Sequence, residues 1–172
     1  NGGSGALDSA DFALSITGGT ATLSSASPNE ISASGNVYIL GISLSGTPDG
    51  SEVLAVVPVE SAIFDSVGNV ASTTQTNNTA NLKDKTAPTI SSFNLESSNS
   101  TIDASFSEAV YSKSDGSGAL ETTDFVLTIQ GGTATLSSAT PSSISASGNV
   151  YTLGIGLSGT PDGVEVLTVT LV

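Results

Sequence analysis

The chain repeats itself. Residues 3–59 return as residues 116–172 at a constant offset of 113 positions, without a gap, and 42 of the 57 aligned pairs are identical. "ISASGNVY" stands at 31–38 and again at 144–151, and "GGTATLSSA" and "LSGTPDG" are shared word for word. Many differences are mild, such as Asp8 to Glu121 and Ser27 to Thr140. A repeat fixes the architecture before any local reading, because both copies must fold on one plan. The chain holds one full period and 59 residues of a second, so it is expected to begin and end inside a unit. Residues 1–85 then form a unit lacking its first strands, and residues 86–172 one lacking its last strands, the equivalent of residues 60–85. Missing strands leave open sheet edges and an unfilled core. Either the chain belongs to a longer array, which is the favoured reading, or like chains complement each other strand by strand.

Apolar residues alternate with period two, as half-buried strands require. "DFALSI" puts Phe12, Leu14 and Ile16 on one face. "NVYILGISL" puts Tyr38, Leu40, Ile42 and Leu44 on the expected core face, so Tyr38 and its copy Tyr151 are read as buried. "EVLAVVPV" is a strand ending near Pro58, "TANL" a closing strand, and "KDK" a polar break. "TISSFNL" and "TIDASFSEAV" open the next unit, with Ile102, Ala104 and Phe106 inward. "GG", "SGN", "SGTPDG" and "DSVGN" supply turn residues between these runs. No stretch has helical spacing. Short strands with turns every few residues predict an all-β fold: antiparallel β-sandwich units joined end to end by a short linker.

"DKTAPTISSF", "FSEAV", "DFVLTI", "DSVGN" and "NNTANLKD" together closely resemble the bacterial Ig-like tandem repeats of giant cell-surface adhesins, of the kind found in Bacteroidota and marine bacteria, gliding-type adhesins included. The resemblance covers essentially the whole chain. It implies Ig-like sandwiches in tandem, displayed outside the cell as a stalk, spacer or adhesive filament. The partners it implies are neighbouring repeats of the same or like chains, and extracellular glycans or surfaces. Neither unit carries both "FSE" and "DSVGN", so a site needing both is not whole within one unit.

Chemistry is sparse. His, Cys, Met and Trp are absent, which excludes a Ser-His-Asp arrangement and a Cys/His zinc site. Asp49 with Glu52, and Asp162 with Glu165, recur around "TPDG" and read as a turn followed by a strand start rather than a catalytic pair. The Gly-rich stretches lead into strands, so no phosphate loop is present. No enzyme is expected. Net charge is −13, with Lys83, Lys85 and Lys113 as the only cations, which argues against nucleic acid and anionic membranes. No apolar run reaches the ~20 residues of a spanning helix. Calcium is the cofactor worth testing, since oxygen ligands in loops suit it. The candidate ligands are Asp65, Asn69, Asn78, Asp84, Glu108, Asp115 and Asp124, gathered at one pole of a sandwich or at the junction. The alternative is an ordinary turn at 65–69 and a solvated Glu108. A glycan-binding role would want exposed aromatics, and the chain has three tyrosines and five phenylalanines.

Overall fold

The computed structural model describes residues 5–172. The first residues of "NGGSGAL", at 1–4, lie outside them. The chain falls into two compact units, one ending at Thr86 and one running Ala87–Val172. Every strand pairing is antiparallel, and among the described residues the only helix is a single 3₁₀ turn ahead of one strand in each unit.

In the first unit the strands are β1 (Phe12–Thr17), β2 (Thr22–Leu23), β3 (Glu30–Ser34), β4 (Val37–Gly41), β5 (Leu44–Ser45), β6 (Val53–Pro58) and β7 (Thr79–Asn81). They pair as β1-β6-β7, β2-β5 and β3-β4. The second unit has β8 (Ile90–Leu95), β9 (Thr101–Phe106), β10 (Phe125–Gln130), β11 (Thr135–Leu136), β12 (Ile144–Ser147), β13 (Val150–Gly154), β14 (Leu157–Ser158) and β15 (Val166–Leu171). Its pairings are β12-β13-β9-β8, β10-β15 and β11-β14.

Repeated sequence gives repeated register. Phe12 faces Pro58 in β1-β6, and Phe125 faces Leu171 in β10-β15. "ISASGNVY" is a hairpin in both copies: Gly35 and Gly148 take φ of +60° and +58°, which only glycine adopts readily, and return the chain on itself. The stretch recurs because the same tight turn must be made in each unit.

The units differ where the repeat does not reach. In the second, β9 lies along β13, and Phe106 of β9 meets Tyr151 edge-on, ring centroids 5.5 Å apart. Ile102, Phe106, Phe125, Leu127, Tyr151, Leu153 and Ile155 form one buried cluster drawn from both larger sheets. In the first unit nothing among the described residues pairs with the outer edge of β4. Among its described residues the buried apolar side chains are Leu14, Ala21, Pro28 and Leu54. The expected core face is therefore correct for the second copy and needs correction in the first. Tyr151 is 7% exposed, whereas Tyr38 is 38% exposed and Ile42 also faces solvent. Tyr38 has Phe12 as its ring neighbour, at 6.1 Å, but no counterpart of Phe106.

The polar break at "KDK" forms no strand, as expected, and is fastened: the Lys85 amide donates to the Pro48 carbonyl at 2.9 Å, and the Thr86 hydroxyl donates to the same oxygen at 3.1 Å.

Candidate functional site

The most highly organised polar feature is a peptide-bound carboxylate that occurs twice, buried in the first unit and half-buried in the second. Gly18 and Gly19 both take positive φ, +76° and +61°, which swings the next two peptide N–H groups inward. Glu52, entering β6, sits below them. Its Oε1 accepts from the amides of Thr20 and Ala21, each at 2.9 Å. Both carboxylate oxygens accept from the Asp49 amide, at 3.2 and 3.1 Å, and Oε2 accepts from the Gly50 amide at 3.1 Å. The side chain has no solvent exposure. The Ala21 amide, opposed by burial and aided by the other amides, lowers its pKa to about 2.

Glu165 repeats the arrangement with Thr133 and Ala134 at 3.0 Å, Asp162 at 3.2 and 3.1 Å, and Gly163 at 3.0 Å. Its pKa is likewise lowered to about 2, chiefly by the Ala134 amide. Glu52 ties the loop after β1 to the loop before β6, and Glu165 the loop after β10 to the loop before β15. Fully ionised and surrounded by peptide donors, it neither gives up a proton near neutrality nor presents a free oxygen, so the group is a latch rather than a catalytic acid. In the sequence Glu52 and Glu165 read only as strand starts after a turn. The available signal was a lone acid opening an apolar strand, about thirty residues after a Gly-Gly pair.

The two latches differ in cover. An ideal Cβ on Gly50 would stand 3.2 Å from the Asp84 Cβ, whereas one on Gly163 would meet nothing. Glu165 is only half-buried. It lies on the wall of a cavity of about 260 Å³ lined by Leu95, Ile129, Ile155, Leu157 and Leu167.

Of the residues expected to serve calcium, Asp65, Asn69, Asn78, Asp84, Asp115 and Asp124 each have a hydrogen-bond partner within their own unit. Asp65 and Asn69 do come together: the Asn69 amide and side-chain NH₂ donate to the two Asp65 oxygens, both at 2.8 Å, and the Val67 amide donates at 3.0 Å. The Asn69 side chain is the main cause of the lowered Asp65 pKa. This pair locks a turn flanked by the Phe64–Val70 bridge. Asn78 donates its side-chain NH₂ to the Val56 carbonyl at 3.0 Å, beside β7. Asp84 accepts from the Thr86 amide at 2.8 Å, in the first unit. In the second, Asp115 accepts from Ser117, hydroxyl foremost, and its pKa is lowered. Asp124 accepts from the Glu121 amide at 2.7 Å, at the start of the 3₁₀ turn. Glu108 is half-buried just beyond β9. Among the described residues no three acidic side chains form a group that could hold a metal.

The geometry defines a class: a repeated, all-antiparallel β module whose loops are clamped by glutamates that accept from peptide amides. No family model, no curated protein and no solved structure matches the chain.

Proposed function

We propose that the chain is a structural repeat, a stalk, spacer or filament module of a secreted bacterial surface adhesin, built of Ig-like sandwiches in tandem and extending the protein from the cell. The observation that carries this reading is the use of one 57-residue block, nearly unchanged, in two separately compact units. A spacer asks of each unit only that it fold and tolerate its neighbours, which permits near-identical copies. The latch fits the same role, since it spends an ionised group on fastening loops rather than on binding anything. The "FSE" and "DSVGN" resemblance supplies the extracellular setting.

The test is in the source organism. Antibodies to residues 5–172 label intact cells, and protease applied outside removes the label. Deleting or adding repeat units changes the reach of the surface structure without changing what it adheres to. Label found only after lysis removes the reading.

The rival is an adhesive module that itself binds glycans, and Tyr38, Phe93 and Tyr111 are exposed. A glycan array probed with the full chain separates the two, because clear binding would replace the spacer role.

Calcium is tested by melting the chain in chelator and in about 5 mM calcium, a concentration that saturates weak extracellular sites. The engaged carboxylates predict a shift under about 2 °C. A larger rise reversed by chelator would show that this chain holds calcium.

A further inference from the structure

The two copies of one strand lie in different surroundings. β13 has β12 on one side and β9 on the other, with Val150 opposite Ser105, Tyr151 opposite Ala104, Thr152 opposite Asp103, Leu153 opposite Ile102 and Gly154 opposite Thr101. β4 has β3 on one side and no strand on the other among the described residues. It exposes Val37 to 64%, Tyr38 to 38% and Ile39 to 67%. A bare edge carrying three exposed apolar side chains is a template for strand addition.

We propose that the outer edge of β4 is a docking site for the opening β-hairpin of another repeat of this kind, entering antiparallel in the register that β9 takes on β13. The repeat makes the occupant specific. Where the second unit has Thr152, the first has Ile39. Thr152 donates its hydroxyl to Asp103 at 2.7 Å. Opposite Ile39 that carboxylate would lose its donor and be pressed against an apolar side chain, which is unfavourable. The hairpin that fits β4 therefore carries an apolar residue in the place of Asp103. This rules against the β8-β9 hairpin of a second copy, which has the aspartate and already covers β13. The inference stands on sheet pairing and does not depend on where the protein works.

The test adds a second copy of residues 87–115 directly before Gly3 of the full chain, reproducing the spacing by which residue 116 follows 115. Two versions are compared, one with Asp103 kept in the added copy and one with Asp103→Val there. The valine version slows exchange of the outward-pointing β4 amides at least about tenfold relative to the unextended chain and shields Tyr38 from quencher. The aspartate version does markedly less. Placing Ile39→Thr in the chain reverses the preference, and that arm keeps the test intact should the valine version associate. Unchanged β4 exchange, or equal slowing by both versions in both backgrounds, overturns the proposal. So does a dimer of the unextended chain with β4 protected, which would make a second copy the occupant.

Discussion

At the residue scale, Glu52 and Glu165 dominate because each gathers several peptide donors from two loops, and around Glu52 those donors are buried or partly buried. Their folded pKa of about 2 lies below the usual 4.5, so folding keeps the proton off. The stability they contribute is whole above about pH 4.5 and is lost as pH falls toward 2. Lowered values at Asp65 and Asp115 act in the same direction. Thermal melts from pH 7 to 2 should show a plateau followed by a decline below about pH 4.5, and a curve flat to pH 2.5 would contradict the latch. Glu52→Gln keeps the shape and loses the charge; roughly 10 °C of melting temperature should go with it, and most of the acid-side decline of the first unit. Gly19 gives an independent handle. A Cβ there would stand 2.2 Å from the Glu52 Cδ, whereas at Gly35 it meets nothing. Both alanine substitutions carry the left-handed penalty of about 1–2 kcal/mol. Gly19→Ala should cost clearly more in denaturant titration, because the carboxylate must also move.

Elements were legible in the sequence where alternation and turn chemistry agreed. β1, β6 and β9 follow directly from Phe12-Leu14-Ile16, from "EVLAVVPV" and from Ile102-Ala104-Phe106. What alternation could not reveal is whether a face is covered, since burial depends on a neighbour from elsewhere in the chain. Tyr38 and Tyr151 have the same local sequence and different surroundings. The latches were hidden for a related reason: a glutamate after a turn looks solvated unless the distant amides that turn toward it are known. Residue type marks the calcium candidates, but it does not show that Asp65, Asp84, Asp115 and Asp124 each accept hydrogen bonds from their own loop. The tyrosine pair is a matched experiment. Tyr151→Ala removes a ring packed on Phe106 and Phe125 and should cost about 3–5 kcal/mol, while Tyr38→Ala should cost less than half as much, measured by urea unfolding.

At the scale of the whole molecule, two units of shared plan have unequal cores. The large buried cluster belongs to the second, and the first buries few apolar side chains. Hydrogen exchange offers an internal control. The Leu14 amide donates to the Ala26 carbonyl and the Leu127 amide to the Ala139 carbonyl, both at 2.7 Å. With the same bond in each copy, a difference in exchange rate reports the stability of the surrounding unit. Leu14 should exchange at least about tenfold faster, and equal rates would mean that the exposed β4 edge costs the first unit nothing.

The buried Glu52 also bears on the waters in which such a protein can stand. Its neutralisation comes from peptide dipoles inside the fold, out of reach of counter-ions. A clasp of that kind holds in fresh water and in brine alike, and only strong acid undoes it.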